Sequence, residues 1–182
     1  MIEEYVNDLK QALNNLDFEK VEEISNLVNV AIKNGNNIFL CGNGGSAANP
    51  SHSAGDWSKE INARTNCLSD NTAAVTAWAN DSDYSQIFSN QLKTYYDEGD
   101  ILLAFSGSGN SSNVIKAIEY VNNMGGTTVG FTGDYKGKNG GKLAQVASIV
   151  MMFETNSMEI IEDLELIVCH IIKNNIKLSQ QS

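Results

Sequence analysis

Five short apolar runs recur along this chain, each bounded by Gly, Asn or Asp: NIFLCG at 37–42, TAAVTAWA at 72–79, DILLAFSG at 100–107, TTVGFTG at 127–133 and ASIVMMFE at 147–154. Runs of that length between turn residues read as strands. The third and fourth are separated by a segment of helical periodicity, NVIKAIEYVNNMGG at 113–126. Strand alternating with helix predicts an α/β fold, a five-stranded parallel sheet with helices on both faces. A chain of 182 residues has room for one such domain with a real core.

Ahead of the sheet, residues 1–36 form a helical segment. Ile2, Val6, Leu9 and Leu13, then Val21, Ile24, Val28 and Ile32, keep helical spacing and stop at Asn34-Gly35, as one long or two shorter amphipathic helices. The α/β core is expected over 37–176. It closes with a helix at about 157–176 that is apolar almost all round, followed by a polar tail, KLSQQS, at 177–182.

Charge and cysteine usage remove several function classes. A net charge of −10 without a basic run opposes direct binding to nucleic acid. No apolar stretch approaches the roughly 20 residues of a membrane span. MIEEYVNDLKQ is acidic where a signal peptide is basic, so a cytoplasmic protein is expected. Cys41, Cys67 and Cys169 are odd in number and lack a CxxC pair, which predicts reduced thiols.

In an open parallel sheet, ligands sit beyond the carboxyl ends of the strands, where strand order reverses. Two Gly- and Ser-rich segments fall there. In AFSGSGNSSNVIKA, 104–117, a strand ends in seven consecutive small or hydroxylated residues that open a helix. A turn with an N-cap needs one or two of these. Seven favour a phosphate cradle of backbone N–H groups, a helix N-terminus and the hydroxyls of Ser106, Ser108, Ser111 and Ser112. The other segment, Gly42-Asn43-Gly44-Gly45-Ser46-Ala47, fits the relaxed dinucleotide pattern GxGxxA, a weak signal alone. An acidic residue closing the second strand is missing from the expected place, because Asp70 precedes the 72–79 run and Asp81 lies beyond it.

His52 and Asp56 are spaced i, i+4, and Asn49-Pro50 before them reads as an N-cap and first helical residue. The pair can share a metal or a substrate, or simply be a polar surface pair. His170 lies in the apolar final helix with Glu162, Asp163 and Glu165, and carboxylates in such a helix need partners. Glu162 and His170 are eight residues apart, about 12 Å along a straight helix, so one ion reaches both only if the side chains lean together.

Taken together, Gly42-Asn43-Gly44-Gly45-Ser46-Ala47-Ala48 with His52, then Asn80-Asp81, then Ser106-Gly107-Ser108-Gly109-Asn110-Ser111, and finally Glu162 with His170 resemble the sugar isomerase (SIS) domain of phosphoheptose isomerases, in the same order and spacing over about 37–172. The resemblance implies a flavodoxin-like three-layer sandwich and a homotetramer, with N-terminal helices in the subunit contacts and sites near the interfaces. It implies interconversion of sedoheptulose 7-phosphate and D-glycero-D-manno-heptose 7-phosphate, which feeds heptose to bacterial surface polysaccharide. Asn43, Gly44, Gly45, Asn80, Asp81, Ser106, Gly107, Ser108 and Ser111 then fall on phosphosugar contacts. His52, Asp56, Glu162 and His170 fall on the zinc-ligand positions, one Zn²⁺ per subunit, with Asp56 and His170 on the acid/base positions.

Two positions depart from that pattern: Asp56 stands where the family has Glu, and Glu162 where it has Gln. Glu162 is therefore a second candidate for the base, and both carboxylates remain candidates for substrate contact. The rival reading is a non-catalytic SIS protein, a phosphosugar sensor or an adaptor to the replication initiator DnaA. The adaptor lacks a histidine at the position of His170, so this chain's two histidines favour the isomerase.

Overall fold

The computed structural model describes residues 2–181; Met1 and Ser182, the outermost residues of the N-terminal segment and of the tail, lie outside the described residues. The helical N-terminal segment is two helices, α1 (Ile2–Asn14) and α2 (Phe18–Asn34). Between them Asp17 caps α2, its carboxylate accepting from the Lys20 N–H at 2.9 Å. Gly35, at φ 72°, ends α2 in the left-handed conformation that glycine adopts without strain.

The sheet follows with its crossovers: β1 (Asn37–Cys41), α3 (Gly45–Ile61), β2 (Arg64–Cys67), α4 (Thr72–Asp81), α5 (Ile87–Tyr95), β3 (Ile101–Phe105), α6 (Ser112–Asn123), β4 (Thr127–Gly133), α7 (Leu143–Val146), β5 (Ile149–Phe153) and α8 (Met158–Ser179). All pairs are parallel and the order is β2-β1-β3-β4-β5. Leu40 lies opposite Cys67 on one side and Leu103 on the other, and Phe105 opposite Phe131, so the register brings the ends of β1 and β3 side by side. This is the doubly wound order whose reversal lies between β1 and β3.

Residues of alternating parity divide the core into two layers, as the pleat requires. Ile38, Leu40, Leu103 and Phe131 face α2, α3 and α8, where Trp57, Ile161 and Val168 are buried. Phe39, Cys41, Leu102 and Ala104 face α5 and α6 with Phe88, Leu92 and Ile118. Buried Asp100 ties the two central strands at their start, accepting from the Asn37 backbone N–H at 2.6 Å and from the Asp97 N–H at 3.0 Å.

Three expectations change. The run at 72–79 is not a strand but helix α4, because Asn71 caps it by accepting from the Ala74 N–H at 3.1 Å and its alanines favour helix. The second strand is Arg64–Cys67, a polar edge strand paired only with β1, so only Cys67 is buried and no apolar pattern marks it. The helix carrying His52 begins at Gly45, not at Asn49-Pro50, and Pro50 lies inside it. Pro50 cannot donate to the Ser46 carbonyl one turn back. That carbonyl leans on Gly42, where a Cβ would come within 1.8 Å of its oxygen. At the other end α8 runs to Ser179, three residues further than its apolar pattern predicts.

Candidate functional site

Helices α3 and α6 leave the two strands that flank the reversal, β1 and β3, and both start without a side-chain cap. The α3 N-cap is Gly44, which has no side chain to offer. The α6 N-cap is Ser111, whose hydroxyl accepts from Ser106 Oγ at 3.1 Å instead of from its own helix. Neither N-cap side chain thus supplies a capping oxygen at the positive ends of these two dipoles, although in α6 the Val114 N–H donates to Asn113 Oδ1 at 3.0 Å.

Between them lies a cleft of about 280 Å³ lined by Asn43, Gly44, Ser46, Phe105, Ser106, Gly107, Ser108, Ser111, Met158 and Glu162. Of the residues expected to contact a phosphosugar, the structure brings Asn43, Gly44, Ser106, Gly107, Ser108, Ser111 and Glu162 to one wall of lining atoms. Gly45 adjoins it, since a Cβ there would stand 2.3 Å from the Glu162 carboxylate. Asn80 and Asp81 are elsewhere: they are exposed at the end of α4, the Asn80 amide donating to Asp81 Oδ1 at 2.7 Å. A larger depression of about 670 Å³ opens past the ends of β4 and β5, and its Asp8, Asp134 and Glu154 oppose a phosphate.

The amide of Asn43 is fixed by groups that the sequence does not single out. It exchanges two hydrogen bonds with Asn113, at 2.9 and 2.8 Å, while Tyr84 Oη donates to its Oδ1 at 2.9 Å. Below the cleft Glu165 is fully buried, accepting from Ser46 Oγ at 2.9 Å and from Asn49 Nδ2 at 3.2 Å. Burial pushes its carboxyl up to about 8 against the pull of those two donors. These are the partners its place in an apolar helix demands, and they tie the first turns of α3 to α8.

One turn further along the α3–α8 seam, His52 Nε2 and His170 Nε2 are 3.2 Å apart, their rings edge to face. With Asp56 they form a group whose ligand atoms lie within 4.8 Å of one another. Two imidazole nitrogens on one tetrahedral Zn²⁺, each at about 2.0–2.1 Å, stand roughly 3.3 Å apart, so the pair fits a shared cation as it stands. A hydrogen bond between neutral rings of opposite tautomer fits the same spacing. Glu162 is outside this group, held over Gly45 by its place two turns earlier on α8.

The two candidate carboxylates, Asp56 and Glu162, are in opposite electrostatic settings. Lys173 Nζ donates to Asp56 Oδ2 at 2.7 Å, and the ammonium holds that carboxyl below the usual carboxylate range, helped by the nearby histidines. Burial raises Glu162, and the neighbouring charges of Glu159 and Asp163 raise it further. Lys173 escapes a sequence reading because its only signal is a spacing of three from His170 in a helix dominated by its apolar pattern.

Comparison with known proteins agrees with this fold. The sequence profile of the SIS domain family matches residues 3–133. A phosphoheptose isomerase of Aliarcobacter butzleri is 34% identical over 87% of this chain and 86% of its own length, and a probable phosphoheptose isomerase of Thermoplasma acidophilum 35% identical over 92% and 93%. The solved phosphoheptose isomerase of Neisseria gonorrhoeae superposes with a TM-score of 0.86 at 27% identity, covering 96% of this chain and 94% of that one.

Proposed function

The chain belongs to the SIS domain family and groups within it with the phosphoheptose isomerases, and from that premise we propose that it interconverts sedoheptulose 7-phosphate and D-glycero-D-manno-heptose 7-phosphate. Its relatives support an aldose–ketose isomerase that acts on a sugar phosphate. A sugar phosphate is supported in the structure by the convergence of two helix N-termini without side-chain caps and the hydroxyls of Ser106, Ser108 and Ser111 on one cleft, a phosphate seat that needs no lysine, and the seven-carbon sugar by the likeness to the phosphoheptose isomerases.

A phosphate at the start of α6 leaves the rest of the sugar to run over Gly44 and Gly45 along the α3–α8 seam. Glu162 meets it first, and His52, Asp56 and His170 follow. Isomerisation removes one proton from C1 of the ketose and returns one to C2, while O1 loses a proton and O2 gains one. Glu162 suits the carbon proton, because burial has raised its proton affinity, whereas Lys173 lowers that of Asp56. His170 serves the oxygen-bound proton. Asp56 remains a candidate for substrate contact through this seam, and Asn80 and Asp81 would reach substrate only by movement of α4 or from another subunit.

The donors of His52, Asp56 and His170 fit a divalent cation such as Zn²⁺, one per subunit, with Glu162 as a further candidate ligand. When bound, the ion supplies Lewis-acid polarisation of the sugar carbonyl. A homotetramer completes the proposal, and Ile2, Val6, Phe18 and Val30, exposed on α1 and α2, supply apolar surface for subunit contacts.

The test is turnover by the purified, Zn²⁺-supplemented protein on both heptose 7-phosphates, followed by ketose and aldose quantification. His170→Ala, Asp56→Ala and Glu162→Ala are each expected to lose about 10²- to 10⁴-fold in rate. Tight sugar-phosphate binding with no turnover on any seven-carbon phosphate would overturn the enzyme reading in favour of a phosphosugar sensor.

A further inference from the structure

Helices α3 and α8 run side by side in the same direction and meet in a ladder of polar rungs. Glu165 bonds Ser46 and Asn49; His52 faces His170 at 3.2 Å; Asp56 pairs with Lys173 at 2.7 Å; and Glu60 pairs with Lys177 at 2.6 Å. The rungs advance by four residues on α3, at 52, 56 and 60, and by three then four on α8, at 170, 173 and 177. That is the spacing at which one face of each helix repeats. Two rungs overlap chemically, because Asp56 belongs both to the ion pair and to the His52–Asp56–His170 group.

We propose that Lys173 is a built-in competitor for the divalent cation of this cluster, so that its ammonium sets how tightly the two histidines and Asp56 hold a metal. The inference rests on reading the cluster as a cation site. With both imidazoles neutral, the three ligands carry a single negative charge, and Lys173 cancels it. Asp56 and Lys173 keep only 19% and 16% of their side-chain surface exposed, so solvent screens the pair weakly. A cation entering the cluster meets a carboxylate already engaged through Oδ2 by a charge of its own sign. It must displace the ammonium or share the carboxylate with it, and like charges a few ångströms apart repel at either choice. Glu60–Lys177, one turn on, has the same ion-pair chemistry but lies outside the cluster, and so provides an internal control.

The experiment measures Zn²⁺ and Co²⁺ affinity of metal-stripped protein by competition with a chromophoric chelator, and Co²⁺ coordination by its visible absorption. Lys173→Met is expected to tighten binding about 10- to 100-fold, the scale of removing one opposing charge at short range in partly screened surroundings. Lys173→Arg, which keeps the charge, and Lys177→Met, which removes it one turn away, are expected to bind as wild type does. Should Lys173→Met fail to fold by circular dichroism, Lys173→Gln replaces it with the same expectation. Unchanged or weaker binding in the neutral variant overturns the proposal, the weaker case meaning that the ammonium orients Asp56 for the metal. If no variant binds either ion, and His52→Ala behaves as wild type does, the cation reading of the cluster falls and takes this inference with it.

Discussion

Replacing Glu165 by Gln is expected to stabilise the protein above neutral pH, and the size of the effect follows from where that carboxyl sits. Glu165 is fully buried, and its folded-state pKa is raised from 4.5 to about 8, chiefly by desolvation. Below pH 4.5 both folded and unfolded chains hold the proton, and the site contributes nothing to the pH slope. Between 4.5 and 8 the unfolded chain releases a proton that the folded chain keeps, so stability falls by about 1.4 kcal/mol per pH unit, and the slope vanishes above 8. Over the whole window the loss approaches roughly 5 kcal/mol as an upper bound.

Gln has the same shape and does not titrate. Its amide nitrogen donates to Ser46 Oγ and its oxygen accepts from Asn49 Nδ2, which preserves both contacts with the hydroxyl reoriented. Going from pH 5 to pH 8, the variant is expected to gain about 2–4 kcal/mol on wild type, on the order of 10 °C in melting temperature for a chain of this length. Urea unfolding of both proteins across that range, at one protein concentration, measures it. Parallel pH profiles would refute the reasoning, because they would mean that Glu165 is ionised in the folded state at every pH tested.

Two further changes probe the cleft and the core. Gly45→Ala places a methyl group 2.3 Å from the Glu162 carboxylate, the movable end of a side chain, so the fold should survive while the cleft does not: turnover is expected to drop about 10- to 100-fold with little change in melting temperature. Steady-state kinetics beside a thermal melt would show it. Trp57→Ala removes a fully buried ring and its Nε1 hydrogen bond to the Cys169 carbonyl at 3.2 Å, and is expected to cost about 3–5 kcal/mol in denaturant unfolding.

The legible part of this chain was whatever local pattern dictates. Four of the five apolar runs are strands because buried parallel strands are apolar on both faces, and that shows in sequence. The Gly- and Ser-rich loops were legible for the same local reason. Strand β2 was not, because an edge strand pairs through its backbone and RTNC has no apolar signature, while capped, alanine-rich α4 imitates a strand in composition. The start of α3 was misplaced by Pro50, a residue that usually opens helices and here lies within one, with Gly42 making room for the carbonyl behind it.

The site divides along the same line. Sequence by itself determined the residue types and their order: the Gly- and Ser-rich loop at 106–112, the His52 and Asp56 pair, and the lone histidine of the last helix. Which of them meet was decided only by the packing of α3 against α8. That packing set His52 on His170, gave Asp56 to Lys173 and buried Glu165 on Ser46 and Asn49, while holding Glu162 two turns away at the cleft. The physical reason is that these partners lie more than a hundred residues apart along the chain. No local spacing encodes a contact made by two helices whose apolar faces meet on one side of the same sheet.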